Sequence, residues 1–245
     1  MKRLLAVLLA ALMLCSLAAC GGSDADYIIY SDNAFAPFEF IKDGAYTGVD
    51  MDLMAAIAED QGFTYEMKNE GFDAAMGAVQ AGQADGMIAG MTITDERKQT
   101  YDFSEGYFED GQIMVVAANS TIAKEADLAG KKVAAKKGTE STKYAESLKA
   151  TYGFEIMYYD DSPAMYQAVI TGAADACFED FSVIGWAIKN DGVALKTVGE
   201  VLNKSYYGFA VKKGTNAELI EKFNAGLKNI KANGKYDEIL AKYGY

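Results

Sequence analysis

Ala78-Val79-Gln80-Ala81-Gly82-Gln83-Ala84-Asp85 returns as Ala168-Val169-Ile170-Thr171-Gly172-Ala173-Ala174-Asp175, five identities at a constant offset of 90 residues. Each copy closes the same local pattern. Ahead of the first, Phe72, Ala75, Met76 and Val79 recur at i, i+3, i+4 and i+7, the apolar stripe of a helix that Gly82 can end. Ahead of the second, Ser162-Pro163 opens a helix whose apolar face is Met165, Tyr166, Val169 and Ile170. A short strand follows each Gly, at 86–89 in the first copy. Solenoid repeats run about 20–50 residues, so this longer period predicts two lobes of related α/β design.

Working outward from the first copy, 27–31 is a β-type run that enters an aromatic-rich loop at 32–38. Asp50 is placed to cap a helix with Leu53, Met54, Ile57 and Ala58 on one face and Gly62 at its end, and 63–67 is the next strand. Around the second copy, 132–135 is a strand, Tyr144, Ala145 and Leu148 mark a helix after Gly138-Thr139, and 154–158 is a strand. Strand, helix, strand, helix, strand predicts a parallel sheet in each lobe. Thr215 with Glu218 predicts a capping box before Leu219, Ile220, Phe223, Leu227 and Ile230, and a last helix uses Tyr236, Ile239, Leu240 and Tyr243. The strand at 207–211 has nothing left to complete in the second lobe. It is expected to cross back to the first, making that lobe discontinuous.

At the start, Met1-Lys2-Arg3, the uncharged apolar run 4–14 and Leu17-Ala18-Ala19-Cys20 have the form of a secretory signal peptide over 1–19, followed by a polar tether at 20–26. The Cys at the boundary resembles the lipobox of bacterial lipoproteins, which implies a lipid on Cys20 and anchoring to the outer face of the cell membrane or in the periplasm. After processing, 226 residues remain with 21 basic and 35 acidic side chains, a net charge of −14 that makes nucleic acid a poor partner. Cys177 is then the one cysteine besides the lipid site, expected as a small buried hydrophobe. There is no histidine, no G-x-G-x-x-G after a strand and no phosphate-binding G-x-x-x-x-G-K-[ST]. Ser-His-Asp chemistry and the usual zinc sets are therefore absent, and neither a cofactor nor a metal is expected.

Open α/β sheets bind ligands beyond the carboxyl ends of their strands. The first lobe delivers Gly90-Met91-Thr92 there, then Thr94 as an N-cap, Asp95 and Glu96 in the first turn, and Arg97 against the helix dipole. The second lobe delivers Glu179-Asp180. Arg97 facing a carboxylate edge suits a zwitterion. Each residue has a plainer reading as well: Arg97 in an ion pair with Asp95, Glu96 or Asp102, Asp180 as the N-cap of a helix over 181–189, and Phe72 in the core. Adjacent on a strand, Glu179 and Asp180 point to opposite faces and are poorly placed for paired acid/base catalysis.

Several ordered stretches carry a resemblance: Ser31-Asp32-Asn33-Ala34-Phe35-Ala36-Pro37-Phe38-Glu39-Phe40, Gly48-Val49-Asp50-Met51-Asp52-Leu53, Ala89-Gly90-Met91-Thr92-Ile93-Thr94-Asp95-Glu96-Arg97, Asp102-Phe103-Ser104-Glu105-Gly106-Tyr107 and Asp127-Leu128-Ala129-Gly130-Lys131. Together they resemble the solute-binding proteins of polar amino acid ABC transporters, closest to the glutamine-binding branch. The resemblance implies a two-lobe periplasmic-binding-protein type II fold with a cleft between the lobes. Lobe one would be 27–106 with 208–245, lobe two 111–203, and the hinges near 107–111 and 203–207.

The resemblance also implies residue roles. Arg97 and the backbone of Thr92 would hold the α-carboxylate, with Met91 on the same edge. Asp180, the Gly90 carbonyl and the Thr92 hydroxyl would hold the α-ammonium. Phe35 and Phe72 would sandwich the side chain, Asp32 would meet its polar end, and Lys136, Thr139 and Glu140 would close from lobe two. Glu179 stands where glutamine binders of this type can carry histidine, and Glu140 at a glycine-like position. Asp32, Glu140 and Glu179 against Lys136 favour a cationic side chain, arginine or lysine, whereas the motifs favour glutamine. The implied function is a monomeric, non-enzymatic receptor that delivers a free polar amino acid to an ABC permease. The competing expectation is a small-acid dehydratase on the same fold, with Glu179 as proton donor.

Overall fold

The computed structural model describes residues 25–245; segment 1–19, Cys20 and the tether up to residue 24 lie outside the described residues. The chain forms two α/β lobes. In order, the first contains β1 (Tyr27–Ser31), a hairpin of β2 (Phe40–Lys42) and β3 (Ala45–Thr47), α1 (Val49–Gln61), β4 (Tyr65–Asn69), α2 (Phe72–Ala81), β5 (Gly86–Met87) and β6 (Tyr101–Phe103). Then come β7 (Phe108–Ala117), β8 (Lys132–Lys136), α3 (Glu140–Tyr152), β9 (Glu155–Tyr159), α4 (Ser162–Ile170), β10 (Ala176–Asp180), α5 (Phe181–Trp186) and β11 (Leu195–Tyr207). The chain ends with β12 (Ala210–Lys212), α6 (Ala217–Ala232) and α7 (Lys235–Lys242). Among the described residues, no helix is long and apolar enough to cross a membrane.

The sheets have orders β4-β1-β5-β12-β6 and β11-β7-β10-β8-β9. Each contains the same parallel unit: a first strand in the middle (β1 or β8), a helix to one neighbour (β4 or β9), and a helix back to the other (β5 or β10). The repeat sits at the second helix-to-strand turn of each unit. Gly82 and Gly172 take φ of 74° and 76°, the left-handed geometry that ends a helix. The repeated Asp then clamps the new strand to the first one. Asp85 N–H donates to Ile28 O at 2.8 Å and Asp85 Oδ2 accepts from Ile28 N at 2.8 Å. Asp175 does the same with Lys132, at 2.7 and 2.9 Å.

Alternation along the strands divides the first lobe's core between the two sheet faces. Ile29, Ile88, Phe209 and Val211 pack with α1 and α6 through Leu53, Met54, Ile57, Leu219 and Phe223. Met87, Ala89 and Ala210 pack with α2 through Phe72, Ala75 and Val79. Each buried Val, Leu, Ile, Phe or Met among them contributes about 1.5–3 kcal/mol. In the second lobe Cys177 is a fully buried free thiol, as expected from its sequence. β12 pairs with β5 and β6, so the last part of the chain joins the first sheet. Between the lobes run β7 and β11, paired antiparallel from Phe108↔Tyr207 to Ser205↔Asp110.

Three local expectations are corrected. Asp50 does not cap α1; Gly48 is the N-cap, and Asp50 lies inside the first turn with its carboxylate turned into the lobe. The Thr215/Glu218 capping box is not formed: Asn216 is the N-cap, Thr215 Oγ1 donates to Lys212 O, and Glu218 pairs with Lys222 one turn on. The helix after Thr94 is a single 3-10 turn, Arg97–Gln99, although Thr94 Oγ1 does accept from Arg97 N–H at 3.2 Å.

Candidate functional site

Four loops at the carboxyl ends of strands meet between the lobes. The first follows β1, where Asp32 Oδ1 accepts from Asn33 N–H at 2.7 Å and from Ala34 N–H at 3.4 Å, the latter an Asx turn, so that local backbone donors fix the carboxylate. The second follows β5. Gly90 has φ 55°, and a Cβ there would stand 2.6 Å from Phe35 Cε1, so both conformation and space require glycine. Its N–H donates to Asp50 Oδ2 at 2.8 Å. The third is Lys136 to Thr139, where Thr139 caps α3 by accepting from Thr142 N–H at 3.1 Å. The fourth is the end of β10 at Asp180.

Asp32, Phe35, Phe72, Gly90, Thr92, Arg97, Lys136, Thr139, Glu140 and Asp180 line one closed pocket, joined by Ala89. The volume open to a water-sized sphere is about 10 Å³, room for about one water. Of the charged contacts that cross between the lobes, two lie in the pocket and fill the rest. Lys136 Nζ donates to Asp32 Oδ2 at 2.5 Å, both groups buried, with the ammonium 4.4 Å from the Phe35 ring centre and 5.9 Å from that of Phe72. Burial works against this lysine's charge, and Asp32 followed by Glu179 outweighs it, so its net pKa lies above the ordinary value. Arg97 is also buried. It donates to Thr92 O and Gly138 O, each at 2.9 Å, and its Nε lies 3.2 Å from Glu140 Oε1 as an ion pair without hydrogen-bond alignment. Glu140 is shared with Lys143 at 3.3 Å, and Lys143 reaches across to Glu96 at 2.8 Å.

Asp180 faces the pocket with Tyr207 Oη donating at 2.6 Å and Ser141 Oγ at 3.2 Å. Burial, reinforced by Asp110 and then Glu179, raises its pKa to about 8. It occupies the N-cap position of α5, as expected, but its side chain makes no capping hydrogen bond. Ser182 N–H donates instead to Asp110 Oδ2 at 3.2 Å, a carboxylate 72 residues away on β7.

Two expected site residues lie elsewhere. Met91 is fully buried in the first lobe's core, since the turn at Gly90 directs its side chain into the sheet and leaves only its carbonyl, which accepts from Gly208 N–H at 3.0 Å, on the interlobe side. Glu179 alternates away from Asp180 along β10 and stands behind the pocket wall. There it accepts from Ser162 Oγ at 2.7 Å, Tyr166 Oη at 2.8 Å and Asp180 N–H at 2.9 Å. The dehydratase expectation placed this carboxylate in the cleft as a proton donor; its oxygens are taken up by these donors. A larger groove of about 490 Å³ lies against the other residues of the 32–38 loop, Asn33, Ala34 and Ala36, but no ion pair converges on it.

The residues that orient the pocket from behind, Asp110, Tyr207 and Ser141, were not identified from the sequence. Ser141 carried a faint signal, standing in the first turn after the Gly138-Thr139 cap. Asp110 and Tyr207 fall in the expected hinge segments, but nothing in the sequence marked them as pocket supports, since that role depends on β7 and β11 pairing between the lobes.

The family model of bacterial extracellular solute-binding proteins, family 3, matches residues 27–245. The chain belongs to this family. It is similar to the ABC transporter glutamine-binding protein GlnH of Bacillus subtilis, 34% identical over 205 residues, covering 82% of this chain and 73% of that one. An ancestral arginine-binding protein bound to arginine superposes with a TM-score of 0.83 at 37% identity, over 89% of this chain and 98% of the other. Substrate binding domain 2 of Lactococcus lactis GlnP, in open conformation, is 43% identical over 91% of this chain and 96% of that one, with a TM-score of 0.61. The chain is thus an amino-acid-binding protein of an ABC transporter, extracytoplasmic like its family, with the type II periplasmic-binding fold.

Proposed function

We propose that this protein is a monomeric lipoprotein, anchored through Cys20, that captures glutamine in preference to arginine or lysine and hands it to a membrane permease. The observation that carries the specificity is the buried Lys136–Asp32 pair at the end of the pocket flanked by Phe35 and Phe72. A cation and a carboxylate side by side offer one donor and one acceptor, the complement of a side-chain carboxamide. The acid excess that favoured a cationic side chain is reduced on this geometry. Asp32 is paired with Lys136, Glu140 is paired with Arg97 and Lys143, and Glu179 lies behind the wall.

The remaining pocket residues suit the part common to all amino acids. Arg97 has five N–H donors, and the Thr92 and Gly138 carbonyls and Glu140 engage only part of them, leaving capacity for an α-carboxylate. Asp180, with the Gly90 carbonyl and the Thr92 hydroxyl, would take the α-ammonium, and Thr139 and Glu140 would close over it. Entry requires the lobes to part about β7 and β11, with hinges near 107–111 and 203–207. The order of the likenesses supports this: the open domain is closer in sequence and superposes less well than the arginine-bound protein.

A thermal-shift screen against the twenty amino acids tests the reading. Ligand at 100 times its Kd adds roughly 2.7 kcal/mol, about 5–11 °C for a domain of this size. Glutamine is expected to give the largest shift. A larger shift with arginine or lysine overturns the specificity, and no shift with any amino acid overturns the receptor itself. Palmitate labelling that persists in Cys20→Ala would count against the anchor.

A further inference from the structure

Glu39 and Asp50 are fully buried in the first lobe next to Gly90, and neither lines the pocket. Each has one oxygen satisfied by ordinary donors. Glu39 Oε1 accepts from Ser31 Oγ at 2.9 Å, and Asp50 Oδ2 accepts from Gly90 N–H at 2.8 Å and Tyr107 Oη at 2.7 Å. Among the described residues, the second oxygen of each, Glu39 Oε2 and Asp50 Oδ1, receives no hydrogen bond from any N–H or hydroxyl. Asp50 N–H donates to Phe38 O at 3.2 Å, which sets Asp50 beside Glu39 at the start of α1, and each carboxyl acts on the other. Two ionised carboxylates would set bare acceptors against one another in a low-dielectric interior, which is strongly unfavourable. One proton shared between them satisfies both orphaned oxygens at once.

The surroundings decide which carboxyl holds it. Asp50 has two outside donors that favour its charged form, whereas Glu39 has one. Burial and then the Asp50 charge push the Glu39 carboxyl well above the usual carboxylate range. For Asp50, burial raises the value to about 6, with Glu39, Tyr107 and the Gly90 amide holding it down. Of the other titratable groups that face the pair, Asp32 pushes both carboxyls up, Tyr107 donates to Asp50, and Lys136 is the cation across the cleft that feels Glu39.

We propose that Glu39 carries a proton at neutral pH and donates it to Asp50 Oδ1, and that the pair acts as a positioning device for Gly90. Asp50, braced by Glu39 and Tyr107, holds the Gly90 amide and so the shape of the pocket edge. This rests on the reading of Gly90 as part of the amino-acid edge. It also explains why Asp50 points inward from the first turn of α1 instead of capping it.

Glu39→Gln replaces the acid O–H with an amide N–H that has no proton to lose. Infrared spectra of the full chain at pH 7 are expected to show a carboxylic acid C=O band in the difference between wild type and Glu39→Gln. Asp50→Asn, whose amide can donate to an ionised Glu39, is expected to lose the same band. Because folding raises the proton affinity of Glu39, the stabilisation is present at low pH and is lost as pH rises from the unfolded carboxylate range toward the folded value. The wild-type melting temperature is thus expected to fall with pH more steeply than that of Glu39→Gln. Glu39→Ala, which removes the donor, should lower the melting temperature by about 3–10 °C and weaken amino-acid binding, with Glu39→Gln restoring both. Absence of the difference band, or equal pH slopes in wild type and Glu39→Gln, overturns the proposal. The infrared readout needs no ligand, so a band present alongside wild-type protein that ignores every amino acid would leave the shared proton standing and sink the binding role.

Discussion

Lys136→Met tests the interlobe pair most sharply. Lys136 is the buried cation that faces Asp32 and Glu179, so its removal leaves a buried carboxylate at Asp32 without its counter-ion. Breaking a buried pair from one side costs about 3–5 kcal/mol, equivalent to about 6–20 °C in melting temperature at this chain length. A second route competes with that cost. Because the pair joins the two lobes, the protein can rehydrate Asp32 by parting them, and the penalty is then capped at the free energy of opening. The variant is therefore expected either to melt well below wild type or to populate an open form with a larger radius of gyration in small-angle scattering. Asp32→Asn combined with Lys136→Met should recover much of the loss, since no unpaired charge remains. Each variant should lose the response to glutamine. A Lys136→Met protein with unchanged melting temperature and unchanged radius refutes the reasoning.

Arg97→Ala should abolish the amino-acid-induced thermal shift while lowering the unliganded melting temperature only modestly, because Lys143 still faces Glu140; a surviving shift would reassign Arg97 to structure alone. Asp180, raised by burial to about 8, contributes stability that is present at low pH and is lost between the unfolded carboxylate pKa and pH 8. Binding an ammonium needs the ionised form, so affinity should rise toward pH 8, by up to about tenfold per unit, with proton release measurable as a buffer-dependent binding enthalpy. Asp110→Asn removes the like charge that acts most strongly on Asp180 and should move that profile to lower pH; identical enthalpies in all buffers would contradict this. Asp85→Ala should cost about 1–2 kcal/mol, read as a lower denaturation midpoint, and Asp175→Ala less, since its clamp is more exposed. No change in Asp85→Ala would show that the repeated aspartate has another role.

What the sequence by itself determined is what depends on neighbours along the chain. Apolar spacing located α1, α2, α3, α4, α6 and α7, and glycines ended helices at Gly62 and Gly82, because these interactions act over three or four residues. The repeat at an offset of 90 exposed the duplicated β-α-β-α-β unit, and the acidic edge after its second copy pointed to Asp180. Boundary errors of one or two residues at β4 and β9 have the same local origin.

Only the tertiary structure decided which charges meet. Lys136 and Asp32 are 104 residues apart and belong to different lobes, so no local pattern could pair them. The same limit hid the Asp110 cap on α5 and the donors from α4 that hold Glu179 behind the wall. Asp50 shows the principle most plainly: at the start of a helix, local rules predict a cap, but burial beside Glu39, Tyr107 and Gly90 outweighs a bond of about 1 kcal/mol. Long-range burial sets which carboxylate is charged and which is paired, and in this protein that choice shapes the pocket.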